Sequence, residues 1–182
     1  MSMTRINKKY LTLSYIAGVF LLLIDFVTKY LANQSLIFHQ RTDTYFKGLN
    51  FYLTHNTGYH YIFGDIKNHK LWSIFGLVML AILLFSLTKS LLKEENKFYK
   101  KLYSIILTLT VGAGGNVLEI LFTKKATDFF ILHPFPWPSN ICDQYINTII
   151  YVIMPIILIR VFLDKKKENK QQKIIEKNGK TE

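Results

Sequence analysis

Four long runs of apolar residues constrain the fold of this chain more than any other feature. They extend over about Tyr10–Val27, Leu71–Thr88, Leu102–Thr123 and Tyr145–Leu163. A helix needs roughly 20 apolar residues to cross the hydrocarbon core of a bilayer, and each run is close to that length. The second run carries no charge, and the third holds one acid, Glu119. The sequence therefore predicts an all-α membrane protein that is a bundle of four transmembrane helices.

The composition agrees with a membrane protein and argues against other classes. Charged residues make up 19% of the chain, whereas soluble domains are nearer about 25%. The net charge is +11, but the basic residues are concentrated in short segments rather than spread over a surface suited to nucleic acid. A single cysteine excludes an intrachain disulfide framework and a cysteine-based zinc site. We therefore expect no nucleic acid partner.

The distribution of lysine predicts the orientation in the membrane. Five lysines lie within residues 89–101, between the second and third runs, and seven more follow Asp164. The segment between the third and fourth runs has only Lys124 and Lys125. Because basic loops stay on the cytoplasmic side, we expect both termini to be cytoplasmic and the first and third loops to face outward. The basic start and first apolar run lack a small-residue cleavage site, so we interpret them as a retained helix.

The first loop and the C-terminal segment complete the predicted domain organisation. The loop, about residues 32–70, contains a segment rich in Tyr, Phe and Thr, in which Lys47 and Gly48 are suited to a turn between two strands. It predicts a small β-rich extracytoplasmic loop domain between helices 1 and 2. We expect one membrane domain over residues 1–163 and a disordered, basic, cytoplasmic tail over residues 164–182. Contact of this tail with anionic lipid is an open alternative.

Polar residues near the ends of the apolar runs are the strongest functional signal. Asp25 and Lys29 are four apart and share a helical face, although a membrane-edge ion pair would explain them equally. Asn140 and Asp143 also share a face, although a helix cap would explain them. Under the predicted orientation, seven such residues lie on the outer side: Asp25, Asn56, Asn116, Glu119, Asp128, Asn140 and Asp143. Because ionisable groups in membranes are costly, we expect one shared polar site.

The third run contains a helical face of small and polar residues. Gly112, Gly115, Asn116 and Glu119 follow the i, i+3, i+4, i+7 spacing of one face. The glycines would let another helix approach closely. A packing seam would explain the glycines but not Glu119, so we expect the face to point into the polar site.

Carboxylates are the reagents that such a site would offer. The sequence suggests no Ser–His or Cys–His pair, and His55 and His60 are spaced unfavourably for a metal site. Two carboxylates brought together cannot both ionise easily, so one keeps its proton. They can then serve as general acid and general base in hydrolysis of a peptide bond. The residues therefore allow an intramembrane aspartic peptidase.

Over roughly residues 10–163, the sequence resembles the lipoprotein signal peptidase (signal peptidase II) family. Five motifs occur in the family's order: Asp25–Lys29, Asn56–Gly58, Gly112–Asn116, Thr127–Phe129 and Ser139–Asp143. The resemblance implies four membrane helices with both ends in the cytoplasm. It also implies a bacterial cytoplasmic (inner) membrane location, with the active site at the outer leaflet.

The resemblance also implies an activity and roles for individual residues. Asp128 and Asp143 would be the catalytic pair of an aspartic endopeptidase, and Asp25 and Lys29 would support the site from helix 1. Four further residues would shape the site or bind substrate: Asn56, Asn116, Glu119 and Asn140. The implied substrate is a prolipoprotein bearing a diacylglyceryl cysteine, cleaved just before that cysteine. The remaining expectations are a monomer in contact with membrane lipid, with no cofactor and no metal.

The chain departs from the family pattern beside the third motif. Glu119 and Ile120 stand where the family usually has Asp-Arg, so the arginine is missing. Lys124 or Lys125 is a candidate replacement.

Two other functional classes stay open at this point. A catalytically weak or inactive homologue would bind signal peptides or lipoproteins without cutting them, but it would be expected to lack one of the two aspartates. A small transporter would be expected to carry ionisable residues along a path through the bilayer.

Overall fold

The computed structural model describes residues 3–56 and 69–178. Within these residues, four helical stretches are long and apolar enough to cross a membrane. They cover Arg5–Ser35, Leu71–Lys93, Lys97–Thr123 and Ile141–Lys170. The predicted number of spans is therefore confirmed. Thr57 and Gly58, which complete the second motif, lie outside the described residues.

The first three helices extend beyond the apolar runs that predict them. They are α1 (Met3–Ser35), α2 (His69–Lys93) and α3 (Lys97–Thr123). Large apolar side chains stay exposed along them, among them Ile16, Phe20, Leu23, Ile82, Leu83 and Phe85. Apolar surface of this extent is typical of helix faces that contact lipid.

Polar side chains tie the helices together where α2 ends and α3 begins. Asn96 caps α3 by accepting a hydrogen bond from the backbone N–H of Phe98, at 2.9 Å. Asn7 of α1 donates its side-chain amide to the carbonyls of Leu92 at 2.9 Å and Glu94 at 3.1 Å. These bonds satisfy backbone groups that a helix end leaves without partners.

Hydroxyl groups join α1 to α2 and α3 deeper in the bundle. The Oγ atoms of Ser14 and Ser104 are 2.6 Å apart, and Thr108 donates to the carbonyl of Ser14 at 3.2 Å. The hydroxyl of Tyr15 lies 2.8 Å from that of Thr88. Such bonds help membrane helices associate, because lipid cannot replace them.

A four-stranded antiparallel sheet combines two separate loops. Its strands are β1 (Arg41–Asp43), β2 (Leu49–Asn56), β3 (Ala126–Leu132) and β4 (Pro138–Ser139), paired in that order. The expected turn at residues 47–48 does lie between β1 and β2. The β-rich loop expected between helices 1 and 2 contributes β1 and β2. The other two strands, β3 and β4, come from the segment between α3 and α4, which the sequence does not assign to the sheet.

The sheet packs on the end of α1 and thereby positions Asp128. Ala32 of α1 is buried in one apolar cluster with Leu53, Phe129 and Phe130 of the sheet. Asp128 lies opposite Thr54 in the β2–β3 pairing. The residue therefore sits on a buried strand, whereas the sequence places it in a loop.

The chain divides into two compact units, Met1–Ile146 and Asn147–Glu182. The last helical region begins as α4 (Ile141–Thr148) and continues through a π-helical turn (Ile149–Ile153) into α5 (Met154–Asn178). The expected single domain over residues 1–163 stays a prediction.

The π-helical turn precedes the proline of the fourth span. Pro155 has no backbone N–H, so it cannot make the usual helical hydrogen bond. Just before it, the N–H of Met154 donates to the carbonyl of Ile149, five residues back. The helix continues past the proline without ending.

The basic C-terminal segment is helical as far as Asn178. This differs from the disordered tail expected over residues 164–182. Lys, Glu and Gln are good helix formers, and extending an existing helix avoids the cost of starting a new one. The apolar helix therefore carries the lysine-rich segment on in the same conformation.

Candidate active site

Lys29 is the centre of the buried charges between α1 and α3. Its ammonium lies 2.8 Å from Oδ2 of Asp25 and 2.9 Å from Oε2 of Glu119. It also donates to Oδ1 of Asn116 at 2.5 Å. Lys29 is 3% exposed, so the three acceptors replace the water that its three N–H groups would otherwise bind.

Asp25 joins α1 to the first turn of α4. Its Oδ1 accepts a hydrogen bond from the backbone N–H of Cys142 at 3.0 Å. The approach needs a glycine on α3, because a Cβ added at Gly115 would lie 2.6 Å from both Asp25 Oδ2 and Cys142 Sγ. The thiol itself is buried and donates to the carbonyl of Gly112 at 3.2 Å. The glycine face predicted from the sequence thus serves close packing beside the charged residues.

Glu119 connects Lys29 to the strand that carries Asp128. Its Oε1 accepts from the backbone N–H of Thr127 at 3.0 Å and from the hydroxyl of Thr127 at 2.7 Å. Lys29 is therefore an ion-pair partner of this acid. The Nζ of Lys125 lies 3.1 Å from His55 Nδ1, and replacement of the family's arginine by Lys124 or Lys125 stays a prediction.

Asn140 and Asp143 form a reciprocal cap at the start of α4. The N–H of Asn140 donates to Oδ2 of Asp143 at 3.0 Å, and the N–H of Asp143 donates to Oδ1 of Asn140 at 3.2 Å. This is the pattern of a capping box, in which each side chain satisfies the other residue's backbone. The other carboxylate oxygen of Asp143 accepts from Nδ2 of Asn116 at 2.9 Å. Asn140 and Asp143 therefore do cap α4, but they also take part in other hydrogen bonds of the site.

The same Asn140 side chain also holds Asp128. Its Nδ2 donates to Oδ1 of Asp128 at 2.6 Å, and Asn56 hydrogen-bonds the same carboxyl group. Asn140 is fully buried and Asp128 is 4% exposed. Burial, and next the charge of Asp143, raise the pKa of Asp128 to about 7. One asparagine thus links two carboxyl groups, one of which is held protonated up to neutral pH.

All eight residues that the sequence singles out join one hydrogen-bonded group. They are Asp25, Lys29, Asn56, Asn116, Glu119, Asp128, Asn140 and Asp143. Sequence reasoning assigns no role to Thr127, although this residue begins the fourth motif beside Asp128. In the part of the chain that the structure describes, no three His, Cys, Asp or Glu residues are placed to hold a metal ion. The arrangement offers two carboxyl groups with different surroundings, which suits general acid–base chemistry.

Comparison with known proteins agrees with this picture at the level of the family. The family model described as signal peptidase (SPase) II matches residues 17–163. The lipoprotein signal peptidase of Buchnera aphidicola subsp. Acyrthosiphon pisum (strain Tuc7) is 28% identical over 154 residues, covering 82% of this chain and 92% of the relative. That of Francisella tularensis subsp. novicida (strain U112) is 29% identical over 160 residues, covering 85% and 94%.

Two solved structures, each described as a bacterial membrane enzyme, share the fold. One has a TM-score of 0.60 at 22% identity and covers 87% of this chain and 92% of that chain. The other has a TM-score of 0.61 at 23% identity, with coverage of 81% and 92%. The family match includes at least part of each of the four helical spans, together with Asp128 and Asp143, and the chain belongs to the signal peptidase II family.

Proposed function

We propose that this chain is an aspartic endopeptidase that removes the signal peptide from diacylglyceryl-modified prolipoproteins. It cuts the peptide bond just before the lipidated cysteine. Family membership supports the signal peptidase activity, and the relatives named lipoprotein signal peptidase support this substrate class. The aspartic mechanism rests on the chain's own geometry.

The link from Asp128 through Asn140 to Asp143 carries the proposal. Asn140 donates to Asp128 at 2.6 Å and exchanges two hydrogen bonds with Asp143. A single buried residue, Asn140, thus contacts both carboxyl groups, that of Asp128 through its side-chain amide and that of Asp143 through its backbone N–H. Because the charge of Asp143 contributes to the raised pKa of Asp128, the two carboxyl groups interact electrostatically.

The surroundings of the two carboxyl groups suggest a division of labour. Asp143 accepts N–H donors from Asn116 and Asn140 and lies in the first turn of α4, where the helix dipole favours a negative charge. Asp128 lies on strand β3 rather than at the start of a helix, and its pKa is about 7. We therefore assign the resting proton to Asp128.

Peptide hydrolysis follows from this assignment. Asp143 takes a proton from water, whose oxygen attacks the scissile carbonyl carbon, while Asp128 gives its proton to the carbonyl oxygen. The resulting gem-diol collapses and breaks the C–N bond. The leaving amine receives the proton that Asp143 took, and a gem-diol hydroxyl returns a proton to Asp128. Both aspartates then regain their starting states, as catalysis requires.

The site would face the outer leaflet of a bacterial inner membrane. The lysine-rich segments near residues 89–101 and after Asp164 support cytoplasmic placement of the opposite end and of both termini. Exposed apolar residues along α1 and α2 support direct contact with membrane lipid. We propose that the chain acts as a monomer, because the group of eight residues is complete within one copy.

Cleavage of a lipid-modified precursor by the purified chain in detergent tests the proposal. We expect a gel shift, with mass spectrometry placing the new N-terminus at the lipidated cysteine. Asp128→Asn and Asp143→Asn should each lower the rate by about 10²–10⁴-fold. Asp43→Asn is a matched control, since Asp43 lies on β1 and is exposed. It should cleave like the wild type.

Other results would overturn parts of the proposal. Binding of the precursor without cleavage by the wild type would favour a non-catalytic homologue. Equal cleavage of an unmodified precursor would remove the lipid requirement. Near wild-type cleavage by Asp128→Asn would refute the aspartic mechanism.

A further inference from the structure

A second chain of hydrogen bonds reaches the site from outside the group of eight. Lys125 Nζ lies 3.1 Å from Nδ1 of His55, and Nε2 of His55 lies 3.0 Å from Oδ1 of Asn33. Nδ2 of Asn33 lies 3.3 Å from the hydroxyl of Thr127. That hydroxyl is 2.7 Å from Oε1 of Glu119. This chain of hydrogen bonds thus begins at the ammonium group of Lys125 and ends at the carboxylate of Glu119.

The two charged ends fix the direction of every bond between them. An ammonium can only donate, so Nδ1 of His55 accepts and its proton is on Nε2, which donates to Asn33. Asn33 then presents its amide N–H to Thr127, and Thr127 donates to Glu119. Burial, and next the charge of Lys125, lower the pKa of His55, which keeps the imidazole in the neutral form that this chain needs.

This chain of hydrogen bonds reaches β3 at the residue next to Asp128. Thr127 precedes Asp128 on β3, and His55 lies directly opposite Thr127 in the sheet. The next residue on β2, Asn56, hydrogen-bonds Asp128 itself. A displacement of Thr127 or of β2 would therefore move the Asp128 carboxyl group, and shifts of about 1 Å can cost about 10²-fold in rate.

We propose that Asn33, His55 and Lys125 are positioning residues that hold β2 and β3 so that Asp128 meets the scissile bond. In the hydrogen bonds given above, none of these three residues is bonded directly to the carboxyl group of Asp128 or Asp143. The inference rests on the proposed peptidase function and adds three residues to it. Asn33 is exposed, and hydrogen bonds that compete with water add little to stability. Loss of these hydrogen bonds should therefore lower kcat more than it lowers the free energy of unfolding.

Steady-state cleavage of the lipid-modified precursor by full-length variants tests the inference. Asn33→Leu keeps the side-chain size and removes the bonds to His55 and Thr127, together with a bond to the carbonyl of Lys29 one helical turn back. It should lower kcat by about tenfold, with KM and the thermal unfolding midpoint unchanged. Lys125→Met should also lower kcat, and Lys125→Arg should restore most of it, because arginine can still donate to His55. Gln34→Leu and Lys47→Met, at exposed positions, should match the wild type.

The outcomes separate this inference from the function on which it rests. Wild-type kcat in both Asn33→Leu and Lys125→Met would overturn the positioning role while leaving the peptidase intact. A rise in KM alone would make these residues substrate contacts instead. Equal loss in Lys125→Met and Lys125→Arg would refute the hydrogen-bond chain. Absence of any cleavage by the wild-type protein would overturn both proposals.

Discussion

Replacing Lys29 by methionine tests whether one ammonium holds the two buried acids of the bundle. Lys29→Met keeps the length of the side chain but leaves Asp25 and Glu119 without their shared partner. These contacts are 2.8 and 2.9 Å long, and Asp25 has no exposed surface. Removing one partner of a buried pair costs about 3–5 kcal/mol, because the other charge stays buried.

The free energy of unfolding in detergent, from denaturant titration, measures this cost. We expect Lys29→Met to lower it by about 3–5 kcal/mol. The matched control is Lys9→Met on the same helix, where the lysine is exposed, and its effect should be within about 0.5 kcal/mol. Adding Glu119→Gln to Lys29→Met removes one stranded charge and should recover part of the loss.

A small effect would refute this reasoning. A loss below about 1 kcal/mol is what solvent-exposed ion pairs give. It would mean that water reaches Asp25 and Glu119 and that Lys29 is not their main stabiliser. Failure of Glu119→Gln to recover any stability would point the same way.

Three further predictions concern packing, the acid on α3 and pH. Gly115→Ala should destabilise the chain by about 1–3 kcal/mol through clashes with Asp25 and Cys142, whereas Gly76→Ala, whose Cβ would meet Val117 at 3.6 Å, should be neutral in the same unfolding titration. Glu119→Asp should retain more cleavage than Glu119→Ala, since a carboxylate can still reach one partner; equal rates would remove Glu119 from the site. With a pKa of about 7 for Asp128, kcat/KM should fall by about tenfold per pH unit above about 7, and a flat profile there would contradict the assigned proton. The unfolded chain releases that proton near pH 3.8, so the free energy of unfolding should fall as pH rises from about 4 to about 7, and Asp128→Asn should flatten this dependence.

Hydrophobic patterning predicts the helices of this fold well and the sheet poorly. The four apolar runs are long enough that only helices could satisfy their backbone in lipid. The strand Ala126–Leu132 is buried on both faces over its first six residues, so it lacks the alternation that reveals a strand. Residues of β3 pair with residues of β2 that lie 70 to 83 positions earlier in the sequence, from Asn56–Ala126 to Leu49–Leu132. Pairing at this separation leaves no local signal, and Asp128 is therefore expected in a loop.

The sequence predicts that these polar residues lie together, but it does not predict which of them are bonded to one another. Placing costly polar residues on one side of the membrane is enough to group Asp25, Glu119 and Asp128. The partner of Glu119 depends on how closely α1 approaches α3, which the sequence does not specify in ångströms. The ion pair between Lys29 and Glu119 is therefore not among the contacts that the sequence predicts. Likewise, His55 and Lys125 come together only because the sheet joins two loops.

The most direct test of the aspartate pair compares the single variants with the double variant. Single-turnover cleavage rates would be measured for Asp128→Asn, Asp143→Asn and the variant with both changes. Because the two groups act as one unit, all three should fall to the same low rate. A single variant that keeps a large share of the wild-type rate, or a double variant whose loss is the product of the two single losses, would contradict a shared acid–base site.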